Sequence, residues 1–508
     1  MTPIILSTLN ARFIHSALGL RYLYANLQDL QSQASIIEFT IDSRPIDIVE
    51  KLLKLKPNIV GFGVYIWNIE QTTYVVSLLK KLSPETIVVL GGPEVSYEYE
   101  QQSIVSFADY VIAGNADLEF YQLCKDYFNG QSSNGLEVRD KIIQPRSFQL
   151  SEVNFPYSYY SRLDIANRVI YVEASRGCPF KCEFCLSALD KTASPFDLEL
   201  FLAEMQKLYE RGARQFKFVD RTFNLKTNTT TRILEFFLEK LDKDLFLHFE
   251  LIPDHLPDKL KTIIQQFPEG SLQFEIGIQT FNPEVQQLIS RKQDNDKAMQ
   301  NLSWLRNESH AHLHTDLIVG LPGEDVDSFA KGFNQLFALN PHEIQVGILK
   351  RLRGTPIIRH TDTFSMAYNP NPPYNILSTR DINFNTMQSL TRFARYWDMI
   401  ANSGRFIETL PLILGDDAFS RFLTLSNWIF TTTDQTHRIS LPRLFNLVYL
   451  ALTTELGVKD DMAAQTLQAD FERSGLKGKP NFLKEMSNQS VSDESSHKGK
   501  QRQTRHKK

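Results

Sequence analysis

Short apolar runs alternate with amphipathic stretches along most of this chain, and that alternation limits the possible folds more than any other feature. In residues 1–145 the runs are Ile4–Thr8, Ser35–Thr40, Ile59–Val64, Ile87–Leu90 and Tyr110–Ala113. Between them lie helical patterns over Ala17–Leu30, Asp47–Leu53, Glu70–Leu82 and Gln101–Phe107. Runs this short and this apolar read as strands buried on both faces, which requires a parallel sheet with helices on either side. From Val169 the beat resumes with Val169–Glu173, Gln215–Val219, Leu245–Glu250, Ser271–Gly277, His314–Val319 and Glu343–Leu349. Six βα units of that kind fit a partial (β/α)6 barrel. The pattern then turns wholly helical, over Asp381–Ile400, Asp417–Phe430 and Leu441–Leu456. The expected fold class is α/β: a doubly wound, flavodoxin-like sheet, then a partial barrel, then a helical extension. The expected segments are 1–145, a connector at 146–167, a core at 168–372, a helical part at 373–480 and a basic tail at 487–508. The connector contains Asn154-Phe-Pro-Tyr-Ser-Tyr-Tyr, which reads as packed rather than free.

At 508 residues the chain is long enough for two or three domains, and 42% hydrophobic residues can fill their cores. A net charge of −4 argues against nucleic-acid binding by the body of the protein. No run approaches the roughly 18 apolar residues of a membrane span. The first residues read as a strand rather than a signal peptide, so the expected location is cytoplasmic. Six of the last eleven residues are basic. That stretch is expected to be a disordered, solvated tail, with contact to RNA or an acidic partner as the alternative.

Residues 176–185, Arg-Gly-Cys-Pro-Phe-Lys-Cys-Glu-Phe-Cys, place Cys178, Cys182 and Cys185 in a C-x3-C-x2-C array directly after the first strand of the second set. The fourth cysteine, Cys124, is far upstream. A disulfide framework does not suit four cysteines in a chain without a secretory signal. Structural zinc usually takes four N or S ligands, often in paired C-x2-C units, and no second pair is present. Bacterial ferredoxin runs have another spacing and a fourth cysteine. Three thiolates suit an iron–sulfur cluster with one open position; zinc or a structural thiol cluster is the other reading. Functional loops of α/β barrels follow the strands, as this one does.

The array and its surroundings resemble the radical S-adenosylmethionine (radical SAM) superfamily. The resemblance extends through Phe218-Val-Asp-Arg-Thr-Phe-Asn224, Glu275-Ile-Gly-Ile-Gln-Thr280, Asp316–Glu324 and Lys350-Arg-Leu-Arg-Gly-Thr-Pro356, in that order. It implies a [4Fe–4S] cluster on Cys178, Cys182 and Cys185, with SAM chelating the open iron and being cleaved to methionine and a 5′-deoxyadenosyl radical. It places Phe184 near adenine, Asp220 at the SAM amino group, Glu275 and Gln279 at its ribose or carboxylate, and the backbone around Gly320 beside adenine. Arg221 departs from the usual second acid and is expected to pair with a carboxylate. Upstream, Asn58–Asn68 with Trp67, Val88–Glu94 with Gly91, Gly92 and Pro93, and Asp109–Phe120 resemble the cobalamin-binding domain that precedes many such cores. Glycines after a strand let backbone approach a bulky ligand. Two departures stand out: Gly114-Asn115-Ala116-Asp117 replaces the common Gly-Glu-Gly-Glu, and the Asp-x-His-x-x-Gly motif that supplies a cobalt ligand elsewhere is missing. His15 is the one nearby substitute ligand, with a cap or packing role as its other reading. The helical end is similar to that of an uncharacterised bacterial subgroup.

The resulting expectation is a cobalamin-dependent radical SAM enzyme that methylates or rearranges a substrate the sequence does not identify. Its electron donor would be a flavodoxin or ferredoxin. The alternatives are a cobalamin-free radical SAM enzyme and a non-catalytic cofactor-binding sensor. A tRNA methylthiotransferase would usually carry three cysteines in its first domain, where this chain has Cys124 alone.

Overall fold

The computed structural model describes residues 2–130, 140–475 and 480–482. Residues 2–394 form one compact unit and the described residues from 395 onward a second. The expected tail at 487–508 lies outside the described residues.

The first sheet contains β1 (Ile4–Asn10), β2 (Ala34–Thr40), β3 (Ile59–Gly63), β4 (Ile87–Gly91), β5 (Tyr110–Ile112) and β6 (Ile142–Ile143). All pair in parallel, in the order β2-β1-β3-β4-β5-β6. Chain direction across the sheet reverses between β1 and β3, which opens a crevice beyond their carboxyl ends. Strand β1 is buried along its whole length because helices cover both faces. One face packs Ile5, Val60, Val88 and Val111 with the helices Pro45–Leu53 and Ile69–Leu82. The other packs Ile4, Leu6, Val89 and Ile112 with Leu20, Phe120 and Leu123. The two-residue β6 and the helix Glu119–Gly130 were not expected from the sequence. The expected helix Ala17–Leu30 is α-helical over Leu18–Ala25 and continues as a 3-10 turn over Gln28–Gln33.

The second sheet contains β7 (Ile170–Val172), β8 (Gln215–Phe218), β9 (Phe246–Leu251), β10 (Leu272–Gln279), β11 (His312–Val319) and β12 (Glu343–Ile348). Each pairs in parallel with its neighbour in chain order, as a six-stranded partial barrel requires. Strand β10 shows how the sequence builds the wall. Leu272, Phe274, Ile276 and Ile278 are at most 1% exposed and face the helices. Burying such a side chain contributes about 1.5–3 kcal/mol. The alternate residues Gln273, Glu275, Gly277 and Gln279 are partly accessible and face the other way. Lys217, His248, Glu275, His314 and Glu343, on five strands, interact with one another or with Asp316 on β11, so the barrel interior is charged rather than oily.

The connector packs, as its aromatic residues suggest. Tyr157 and Tyr160 are fully buried. Their hydroxyls donate to the carbonyls of Glu173 at 3.1 Å and Tyr171 at 2.7 Å. The helix Phe384–Ile400 leads into the second unit, built on Ala418–Thr433, Leu441–Thr454 and Asp460–Arg473. Phe422, Phe445, Val448, Leu467 and Phe471 fill its core. The buried Asp470 carboxylate accepts from the N–H groups of Glu408 and Thr409 and from the Thr409 hydroxyl. Among the described residues no helix is long and apolar enough to cross a membrane.

Candidate functional site

The cysteine loop leaves β7 through Gly177, whose φ of +86° suits glycine. A Cβ there would stand 2.9 Å from the Asp190 carboxyl carbon. The Cys178 N–H donates to the Asp190 carbonyl at 2.8 Å. Glu183, within the loop, ties it to distant segments. Its carboxylate accepts from Arg359 Nε at 2.7 Å, Ser290 Oγ at 2.6 Å and contacts His360 Nε2 at 2.9 Å. Although burial acts against it, these contacts hold its carboxyl below the usual carboxylate range.

Cys178, Cys182 and Cys185 line a single cavity of about 210 Å³ over the barrel mouth. Burial raises the Cys178 and Cys182 thiols; at Cys182 the neighbouring Arg291 guanidinium, 3.7 Å from Sγ, opposes that rise. Such thiols surrender their protons to a metal when it binds. Among the described residues no three His, Cys, Asp or Glu side chains converge on a single-ion site, so the cysteines surround a space rather than a point. Cys124 is 0% exposed in the core of the first sheet. Three thiols around a cavity, with the fourth remote, fit a cluster with one open position.

Phe184, Glu275 and Gln279 line the same cavity. Gln279 ends β10 at a register shift, with φ +70°, and its Oε1 is buried without a partner. Asp316 also lines the cavity, and its Oδ1 is paired with His314 Nε2 at 3.4 Å. Burial without a partner costs about 1–3 kcal/mol per group, so Gln279 Oε1 suits a polar ligand with donors of its own. Glu275 is held near 2: Lys217 and His248 outweigh the effect of burial.

Two residues expected at this cavity sit elsewhere. Asp220 accepts from Ala174 N–H at 3.0 Å and Ser175 Oγ at 2.6 Å, on the segment that leads into the cysteine loop. Burial raises it to about 7. It touches a separate 30 Å³ space. At Gly320 an added Cβ would stand 2.6 Å from Ile376, so this glycine admits a neighbouring side chain.

A larger cavity of about 430 Å³ opens between the carboxyl ends of the first sheet and the cysteine loop. Gly61, Gly63, Gly91 and Gly92 floor it, and Tyr65, Phe120 and Arg176 wall it. A Cβ added at Gly91 would meet nothing nearer than the Ile112 carbonyl at 3.9 Å. The floor is therefore open at the end of β4, as the face of a large planar ligand needs. His15, Trp67 and Pro93, expected beside Gly91 and Gly92, do not line it. His15 Nδ1 is 2.7 Å from Tyr171 Oη, on the barrel side. Trp67 stacks on Tyr65 at 4.4 Å and donates to the Leu9 carbonyl.

How the two sheets are joined was not legible in the residue pattern. Arg176 makes a two-pronged pair with Asp117, at 2.9 and 3.0 Å. Asp117 belongs to the segment that departs from the family pattern. Glu94, after the paired glycines, binds Arg353 Nε at 2.9 Å and Tyr374 Oη at 2.6 Å, and Glu98 binds Arg351. Arg353 lies in the Arg-Gly-Thr-Pro segment, so two matched motifs meet at the junction. Arg221 lines both cavities and pairs with Glu250, as expected of a cation in that place.

Comparison with known proteins agrees with this architecture. The chain matches the B12 binding domain over residues 5–123 and the radical SAM superfamily over 172–336. Residues 362–508 match a family of unknown function, DUF4080. An uncharacterised methyltransferase of Pyrococcus horikoshii, PH0819, is 28% identical over 41% of this chain and 49% of that protein. The cobalamin-dependent radical SAM methyltransferase TokK of Streptomyces tokunonensis is 23% identical over 58% of this chain and 47% of that protein. The chain spans about half the length of these curated relatives. The cobalamin-dependent radical enzyme OxsB, with aqua-cobalamin bound, shares the fold at TM-score 0.63 and 13% identity, over 96% of this chain and 84% of that one.

Proposed function

We propose that this chain, a B12 binding domain joined to a radical SAM domain, is an enzyme that cleaves SAM reductively and transfers a methyl group to a substrate carbon. The observation that carries the reading is the adjacency of two cavities, one bordered by three cysteines and the other floored by glycines, with Arg221 on both walls. When bound, a [4Fe–4S] cluster would supply the electron, SAM the methyl group and cobalamin its carrier. Cys178, Cys182 and Cys185 would hold the cluster. Phe184, Glu275 and Gln279 would orient SAM, with Gln279 Oε1 accepting from one of its donors. Gly91 would admit the corrin face. Asp220 would act through the backbone, fixing Ala174 and Ser175 just before the loop. No histidine among the described residues lines the first cavity, so an imidazole of the protein has no part in this reading. A reductant of the flavodoxin or ferredoxin kind and a cytoplasmic setting belong to this reading.

Anaerobic reconstitution with iron and sulfide, then incubation with SAM, hydroxocobalamin and dithionite as the electron source, followed by mass spectrometry of the SAM products, tests it. S-adenosylhomocysteine together with 5′-deoxyadenosine is expected. Formation of 5′-deoxyadenosine alone, with no cobalamin retained, would favour a plain radical SAM enzyme. Neither product would refute both readings.

A further inference from the structure

We propose that Arg221 is an anion receptor at the junction of the two cavities, and that the methyl acceptor carries a carboxylate or phosphate bound there. The word acceptor rests on the function proposed above; the anion site does not. Arg221 follows β8 and lines both cavities. It meets Glu250 through Nη1 alone, at 2.6 and 2.8 Å. Nε and Nη2 have no acceptor among the described residues. Its side chain is 50% exposed, and it faces the open cavities rather than the outer surface. A guanidinium joined to one carboxylate through a single nitrogen keeps an edge of donors for a planar anion. A substrate that reaches both cavities must pass this residue.

Two features favour the acceptor over the carboxylate of SAM. Arg291 and Lys292 already supply positive charge on the cysteine cavity and do not line the first cavity. Arg221 also stands where the related pattern has an acid, so its charge belongs to this chain rather than to the shared SAM-binding scaffold.

The test is calorimetric titration with acetate and with inorganic phosphate. The protein is the full chain, first metal-free and then cluster-loaded with saturating SAM. Saturable binding of one of the two anions is expected, and the tighter one identifies the substrate's group. Arg221→Gln should weaken it about tenfold or more, and Arg221→Lys should restore only part, because a point charge lacks the fork. Arg221→Gln leaves Glu250 without its partner, so Arg221→Gln/Glu250→Gln serves as the folded control. Glu250→Gln alone removes a competing anion and should tighten binding several-fold. Absence of saturable binding, or equal binding by the wild type and the Arg221 variants, would overturn the proposal. So would a loss of SAM affinity in Arg221→Gln matching the loss of anion affinity, since the free edge would then serve SAM. The metal-free titration remains readable even if SAM is never cleaved.

Discussion

The four cysteines occupy contrasting settings. Cys178, Cys182 and Cys185 border a cavity, whereas Cys124 sits in a hydrocarbon core where burial drives its thiol far above the ordinary range. Replacing any of the first three by Ala is expected to abolish the iron–sulfur absorbance after reconstitution. Cys124→Ala should retain it and should keep its response to SAM; loss of the signal in that variant would refute the three-ligand assignment. His314 gives a second residue-scale expectation. Burial opposes its charge, but Asp316 and Glu343 overcome this and raise it from 6.5 to about 10. A group protonated more readily in the folded state adds stability that is complete below pH 6.5 and is lost as pH rises toward 10. Denaturant midpoints should therefore fall across that window. His314→Gln should flatten the slope; an unchanged slope would remove His314 as its source.

Adjacent glycines at the end of β4 have different duties, which the sequence could not separate. Gly92 has φ +106°, and an added Cβ would stand 2.5 Å from the Val64 carbonyl oxygen. A side chain there would cost about 1–3 kcal/mol in backbone strain before reaching any ligand. Gly91 has an ordinary φ and open space in front of it. Gly91→Leu should leave the thermal midpoint nearly unchanged and abolish retention of hydroxocobalamin after desalting. Gly92→Leu should lower the midpoint. Cobalamin retained by Gly91→Leu would move the ligand off this floor.

For the larger unit, the side-chain pairs that join the two sheets make a prediction about stability. Glu94 is 3% exposed at its side chain and Arg353 14%. Removing one partner of a buried pair leaves the other charged and unpaired, at about 3–5 kcal/mol. Glu94→Ala should therefore lower stability by about 3 kcal/mol in a denaturant titration. Glu98→Ala should cost less, because that side chain is 26% exposed. Equal losses would mean that burial does not set the strength of this junction.

Local patterning was enough to place most of the strands and helices and the cysteine loop, though not β6 or the helix Glu119–Gly130. Apolar periodicity is local, and so is the spacing of Cys178, Cys182 and Cys185. For the same reason β10 could be read as presenting Glu275 and Gln279 on one face, and both reach the cysteine cavity. What the sequence could not supply is which side chains meet across the junction. His15 is absorbed by Tyr171 and Glu94 by Arg353, partners 156 and 259 residues away. Such pairings follow from how two sheets dock, and no pattern along one strand encodes that. Only in the folded chain does Arg221, an oddity in its motif, stand between two cavities, its Nε and Nη2 without acceptors among the described residues.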